Sequence, residues 1–290
     1  MAWNKDQIVD ILLAAADIAL RVRRNLRFEV KADGSIVTPA DHEIEKLVSD
    51  KLENRDGGTY IIGEETVEKK GEDYLEAAMR GEAYVVDPID GTSPYAHHLP
   101  TWGISIGRME DSVLTDGAVY LPDFGEIFIS DGKEVLVGTQ PEGKRKGRRD
   151  DPWTWRALAG PRAQFNAQTP VAVTQALAKR GKVQLPNPVM VLGVAVVPMT
   201  GLLLDRFMAF LGNVKLWDVA GALPLLLRRG FSVTVTHQGQ PCEVTARVEE
   251  KVYSLRPDSR KRWAFCSDLL ICDPEAQLRL RASFRGAGHG

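Results

Sequence analysis

Tyr84-Val85-Val86-Asp87-Pro88-Ile89-Asp90-Gly91-Thr92 reads as a short apolar strand that runs straight into a turn carrying two carboxylates. Leaving a strand at Pro88 forces a turn, which aims Asp87 and Asp90 at one point. Gly91 permits positive φ and close approach of its backbone to a ligand. A helix starting here turns free N–H groups of Gly91, Thr92 and Ser93 toward an anion such as phosphate. Two carboxylates beside a phosphate cradle are electrostatically untenable without cations. Hard divalent metals with oxygen ligands resolve the conflict, and magnesium suits such a site.

Two other stretches offer acids to the same place. Ile62-Gly63-Glu64-Glu65 ends a second apolar run on carboxylates, and Trp217-Asp218-Val219-Ala220-Gly221 puts an aspartate at a helix start with small residues for tight packing. Each has a plain alternative. A strand-end Glu64 is often only solvated, Asp218 is favoured by the helix dipole, and Asp41 by a capping box. The turn at Asp87–Thr92 is the specific signal, because its strand-then-turn context agrees with the chemistry.

Around these segments, apolar residues at three- and four-residue spacing predict a helix from Asn4 to Asn25, with Asn4 as cap. Thr38-Pro39-Ala40-Asp41 opens a second helix, with threonine as cap, proline first and an acid three residues after the cap. Strands are expected at Trp102–Arg108, Val113–Leu121, Glu126–Ser130 and Glu134–Val137, with turns between them, forming an antiparallel meander. The polar stretch Gln140–Asp151 holds Lys144–Arg149 and marks the best boundary. It divides an N-terminal α+β domain (1–145) from a C-terminal α/β domain (146–290) that supplies Asp218. In the second half, helices are predicted at Leu192–Leu203 and Trp217–Arg229, with a closing helix from Asp273-Pro274. Strands are predicted at Leu204–Phe210, Phe231–Val235 and Phe265–Ile271.

The chain has 290 residues, 44% hydrophobic and 26% charged, with 37 Lys+Arg against 39 Asp+Glu. That balance gives no chain-wide attraction for nucleic acid or an anionic membrane. The basic run Lys144–Arg149 has no aromatic platform and reads as a solvated loop, anchored by Trp153 and Trp155. His97-His98 reads as structural or as part of a substrate rim. Three cysteines, Cys242, Cys266 and Cys272, have no metal-finger spacing and read as reduced core thiols. Without a signal peptide or an apolar span of membrane length, a cytoplasmic protein is expected.

With these pieces in place, the chain resembles the inositol monophosphatase family of metal-dependent, lithium-sensitive phosphomonoesterases. The resemblance rests on Gly63-Glu64-Glu65, Asp87–Thr92 and Trp217–Gly221, in that order, with Val37-Thr38-Pro39-Ala40-Asp41 and Lys31 upstream. It implies a layered α-β-α-β-α sandwich and a homodimer. It further implies that Glu64, Asp87 and the Ile89 carbonyl hold one magnesium ion, that Asp87, Asp90 and Asp218 hold a second, and that a third shares Glu64. Thr92, oriented by Asp41, would act with Glu64 to position and deprotonate the attacking water. Gly91, Thr92 and Ser93 would bind the phosphate, and Gly193 and Ala195 would face the rest of a small phosphomonoester, inositol-phosphate-like or a sugar or nucleotide phosphate.

The departures lie on the substrate side. Met190 stands where inositol-specific members carry arginine, Leu211 or Gly212 where they carry a ring-binding glutamate, and Ser93-Pro94-Tyr95 replaces the commoner ending of the central motif. Fructose 1,6-bisphosphate, a 3′-phosphorylated adenosine nucleotide and histidinol phosphate are the alternative substrates. A catalytically silent relative that binds phosphorylated ligands is the non-enzyme alternative.

Overall fold

The computed structural model describes residues 3–31, 34–140, 152–159, 166–180, 185–238, 240–277 and 280. The first half comprises α1 (Lys5–Arg23), β1 (Glu29–Val30), β2 (Ile36–Val37), α2 (Pro39–Leu52), β3 (Thr59–Gly63), α3 (Glu72–Arg80), β4 (Glu82–Asp90) and α4 (Thr92–Ala96). The meander follows as β5 (Gly103–Glu110), β6 (Val113–Leu121), β7 (Glu126–Asp131) and β8 (Glu134–Thr139), continued by β9 (Thr154–Ala157). Then come β10 (Val171–Val173), α5 (Gln175–Arg180), β11 (Val189–Met190), α6 (Val196–Leu203), β12 (Ala209–Gly212), α7 (Leu216–Ala220), α8 (Leu223–Arg228), β13 (Ser232–His237), β14 (Gln240–Glu243) and β15 (Leu269–Cys272).

Strands β3 to β9 form a seven-stranded sheet in sequence order, and β11-β10-β12-β15-β13-β14 form a six-stranded one. Only β3–β4, β10–β11 and β10–β12 are parallel pairs within these sheets. Both predicted helix caps form: the Asn4 side chain accepts from the Gln7 amide, and Thr38 and Asp41 close a capping box. Ile8, Leu12 and Ala15 of α1 and Ile44 and Val48 of α2 cover one face of the large sheet, against Tyr84, Ile104 and Ile129. Val85, Val119 and Phe128 on its other face share a core with α6–α8 and with Phe210, Val233 and Ile271 of the second sheet. Leu177 of α5 and Leu280 pack on the far side of that sheet. The order of layers is α-β-α-β-α.

The meander strands lie where their turn signals put them. Strand β9, which the sequence reading left out, pairs with β8 through Trp155↔Gly138, so the large sheet continues past residue 145. The Trp153 and Trp155 rings lie 6.1 Å apart, with Trp153 5.7 Å from Tyr120. The basic run Lys144–Arg149 lies outside the described residues.

Four elements of the second half differ from expectation. The helix expected from Leu192 begins only at Val196, after Gly193 turns the chain with φ +71°. The strand expected at Leu204–Phe210 is Ala209–Gly212, the helix expected at Trp217–Arg229 is split into α7 and α8, and the last strand runs Leu269–Cys272. Since β15 starts three residues after Cys266, that thiol is exposed rather than in the core, whereas Cys242 and Cys272 are buried. A helical stretch at 274–277 follows Asp273, as expected. No helix among the described residues is long and apolar enough to cross a membrane.

Candidate metal and phosphate site

Strand pairing accounts for the convergence of the acids. Parallel strands joined by a helix have their C-terminal ends at the same edge of the sheet. Here Gly63 lies opposite Val86, and the Glu64 amide donates to the Val86 carbonyl at 3.2 Å, so Glu64 follows directly beside Asp87. Residues three apart on a regular strand face opposite sides of the sheet. Asp87 and Asp90 escape this because pairing with β5 steps from Asp87↔Ser105 to Asp90↔Gly103, three residues against two. This is a β-bulge, and Pro88, which has no N–H to donate, sits inside it.

Asp218 arrives from the other half of the chain through tight packing. A Cβ on Gly107 would lie 2.4 Å from the Ala220 carbonyl oxygen, and one on Gly117 would lie 2.3 Å from that of Gly221, so α7 rests on the backbone of β5 and β6. Ser105, the partner of Asp87 in the sheet, donates to the Trp217 carbonyl at 3.2 Å and accepts from the Gly221 amide at 3.1 Å. The outcome is that Asp87, Asp90 and Asp218 each offer an oxygen within 4.8 Å of the others.

The remaining contacts define what each group is free to do. Asp90 Oδ2 accepts from the Ala195 amide at 2.8 Å and the Val196 amide at 2.5 Å, capping α6 from a distant strand. Asp218 Oδ2 accepts from the Lys215 amide at 2.6 Å. The Ile89 amide donates to Asp87 Oδ1 at 3.1 Å, and the Ile89 carbonyl accepts from the Thr92 hydroxyl at 3.0 Å. Gly91 has φ +84°, and a Cβ there would lie 2.9 Å from the Thr101 carbonyl oxygen. In the first turn of α4, the amides of Thr92 and Ser93 have no acceptor among the described contacts, which leaves them open to water or an anion.

Asp41 is fully buried at the start of α2, and its Oδ2 accepts from the Thr38 amide at 2.8 Å and hydroxyl at 2.6 Å. The expected Asp41–Thr92 contact is therefore not made in this state: the Thr92 hydroxyl is given to Ile89, while Asp41 Oδ1 is buried without a partner. Gly193 has φ +71°, and a Cβ there would lie 3.3 Å from Pro94 Cγ and 3.7 Å from Gln175 Nε2. The Ala195 amide is committed to Asp90.

Burial and crowding of like charges push these carboxyls far above their ordinary range. Desolvation raises Glu64 to about 8, with Asp218 and Glu65 adding to it, and raises Asp90 to about 8, with Asp218 adding to it. Asp87 is raised well above the usual value by burial and by Glu64, Asp90 and Asp218, and Asp218 is raised by burial. Burial brings Asp41 to about 7. A donor set of crowded oxygen acids that resist carrying negative charge together fits hard divalent cations. Lys31 adds a cation, bonding Glu65 at 2.7 Å.

Two supporting residues escaped the sequence reading. Ser105 gave no signal within its apolar strand. Glu45 lies one turn beyond Asp41 on the buried face of α2 and accepts from the Glu65 amide at 2.8 Å. Its spacing of four from Asp41 was the available clue, since a second acid on an otherwise apolar stripe needs a partner.

Comparisons with known proteins bear on the family and the fold. An inositol monophosphatase 3 from Solanum lycopersicum is 30% identical over 142 residues, 47% of this chain and 52% of that one. A histidinol-phosphatase from Mycobacterium tuberculosis is 33% identical over 121 residues, 39% and 44% of the two chains. These alignments cover about half or less of the curated relatives. Among solved structures, a Thermotoga maritima IMPase superposes with a TM-score of 0.67 at 18% identity, over 98% of both chains. A staphylococcal inositol monophosphatase-1 soaked in LiCl gives 0.69 at 12% identity, over 99% of this chain and 98% of that one, a likeness of fold. The sequence profile of the inositol monophosphatase family matches residues 5–261, a span that contains every acid of the cluster, and the chain belongs to that family.

Proposed function

We propose that this chain is a magnesium-dependent phosphomonoesterase that hydrolyses a small phosphorylated substrate by in-line attack of water. The observation that carries the reading is the convergence of Asp87, Asp90 and Asp218 within 4.8 Å, with the Thr92 and Ser93 amides one turn away. Glu64, Asp87 and the Ile89 carbonyl would hold one ion, Asp87, Asp90 and Asp218 a second, and Glu64 would share a third. When bound, such ions lower the pKa of water and offset charge on the attacking and leaving oxygens.

The protein's own groups supply the rest. The Thr92 and Ser93 amides, with Gly91 bringing the backbone close, hold phosphate oxygens. Glu64 accepts the proton of the attacking water. Thr92 orients that water once its hydroxyl turns from Ile89 toward the unpartnered Asp41 Oδ1, which also frees the Ile89 carbonyl for a cation. Gly193 borders the leaving group, and Ala195 acts indirectly, by tethering Asp90.

Features of the substrate side favour a leaving group other than inositol. Met190 is an exposed apolar side chain, Leu211 is buried, and a Cβ on Gly212 would lie 2.1 Å from Thr174 Oγ1, so no carboxylate reaches a ring from there. A sugar, nucleotide or histidinol phosphate fits this reading; relatives named as histidinol-phosphatases support it, beside others named as inositol monophosphatases. The test is kcat/KM on a panel of phosphomonoesters, with and without Mg²⁺. Turnover that needs no metal, or that survives Asp90→Asn, refutes the assignment; ligand binding without hydrolysis identifies a silent relative. We also read the protein as a cytoplasmic homodimer, which light scattering giving a monomer mass contradicts.

A further inference from the structure

We propose that Trp263 is a positioning residue for Asp218, acting through a backbone zipper that fixes the start of α7. The inference rests on the metal assignment above. α7 has five residues, so it cannot hold its own position; its C-terminal end is clamped by Ser105, but its N-terminal end needs another anchor.

That anchor is the segment 263–267. The Asn213 side-chain amide donates to the carbonyls of Phe265 at 2.9 Å and Ser267 at 2.8 Å. The Phe265 amide donates to Val214 at 3.1 Å, Lys215 bridges antiparallel to Ala264, and the Leu216 amide donates to the Trp263 carbonyl at 2.9 Å. The last of these satisfies the first orphan N–H of α7. The register matters because the neighbouring Lys215 amide holds Asp218 Oδ2 at 2.6 Å. Sliding the zipper moves the donor that sets the carboxylate's rotamer.

Trp263 ends the zipper in a conformation that bulky residues avoid, with φ +71°. It is held there from several sides. Its amide donates to Ser254 at 2.7 Å, and the Ser254 amide returns to Ala264 at 2.8 Å. Its ring is buried beneath the Arg262 guanidinium, 5.2 Å from the centroid, and Arg262 grips Glu72 of α3 through two bonds of 2.6 and 2.7 Å. A left-handed backbone at this point turns the Trp263 carbonyl onto Leu216. Surroundings that over-determine a strained residue are the hallmark of a position whose geometry is used.

The test is calorimetric titration of Mg²⁺ alone into the protein, alongside its melting temperature. Trp263→Ala and Asn213→Ala attack opposite ends of the zipper, and the second removes only the two side-chain bonds to the Phe265 and Ser267 carbonyls. Each is expected to weaken Mg²⁺ binding about five- to tenfold, while Asn213→Ala melts within a few degrees of the parent. Either folded variant binding Mg²⁺ within twofold of the parent overturns the inference. A parent protein that binds no Mg²⁺ overturns the metal reading as well, so the two failures are distinguishable.

Discussion

Asp90 and Ala195 are 105 residues apart, yet one carboxylate oxygen of Asp90 takes the Ala195 amide at 2.8 Å and the next amide, that of Val196, at 2.5 Å. A single side chain therefore closes the strand end that carries the acid cluster and caps the helix that begins beyond Gly193. Charge and capping separate on substitution. Asp90→Asn keeps an acceptor for the two amides but removes the negative charge, so turnover is expected to fall at least a hundredfold with little change in melting. Asp90→Ala loses both, and the lost cap costs about 0.5–2 kcal/mol of stability. Thermal melts beside kcat for the two variants check the division; equal melting of Asn and Ala variants contradicts it.

The crowded carboxyls make a signed prediction for pH. Their folded-state values are raised, Glu64 and Asp90 to about 8 and Asp41 to about 7, against about 4 in an unfolded chain. Between those limits the folded state binds more protons than the unfolded state. Stability of the metal-free protein is therefore full below about pH 4, as far as these groups go, and is lost as pH rises through about 7–8. Mg²⁺ stabilises the ionised cluster and should flatten the decline. Melting curves from pH 4.5 to 8.5 in chelator and in Mg²⁺ test this; a metal-free protein that gains stability across the range refutes it.

How much of this was legible beforehand depended on whether the cause was local. The Thr38–Asp41 capping box and the meander turns are short-range features and lie as read; the turn expected at Pro88 is instead a bulge, and β4 runs on to Asp90. The start of α6 was not legible, because the run from Val189 to Leu203 is apolar nearly throughout and its pattern alone marks no helix start. Its beginning at Val196 is decided by Gly193 and by a cap supplied from Asp90. Cys266 sits among apolar neighbours and looked like core, but it lies outside the paired register of β15, which begins at Leu269. The choice of acceptor for the Thr92 hydroxyl, the Ile89 carbonyl rather than Asp41, is likewise not written in the local sequence. Glu45 was overlooked because α2 is explained as an amphipathic helix without it.

Gly91 is irreplaceable for two independent reasons. Its φ of +84° costs an L residue about 1–2 kcal/mol, and an added Cβ would meet the Thr101 carbonyl oxygen at 2.9 Å and Val194 Cβ at 3.0 Å. Both obstacles are backbone or β-carbon, so a side-chain rotation cannot relieve them. Gly91→Ala should lower the melting temperature by several degrees and pull the Thr92 and Ser93 amides off the phosphate position. The expected kinetic signature is a loss of more than tenfold in kcat/KM with Mg²⁺ affinity less affected. Wild-type kcat/KM in this variant rules out a role for that turn in holding phosphate.

Glu45 supports the acids without belonging to their cluster. Its carboxylate lies under the tip of β3, where a Cβ on Gly63 would come within 2.2 Å of Glu45 Cδ, and it takes the Glu65 amide at 2.8 Å. Glu45→Gln keeps an acceptor there and should be nearly neutral. Glu45→Leu leaves that N–H without a partner, a loss of about 1–3 kcal/mol, and unties the residue next to Glu64. Mg²⁺ affinity should therefore drop several-fold in the Leu variant and hold in the Gln variant. Parallel calorimetry on the pair decides the matter: equal Mg²⁺ affinity in both means that the Glu45–Glu65 bond serves the fold alone and leaves Glu64 where it was.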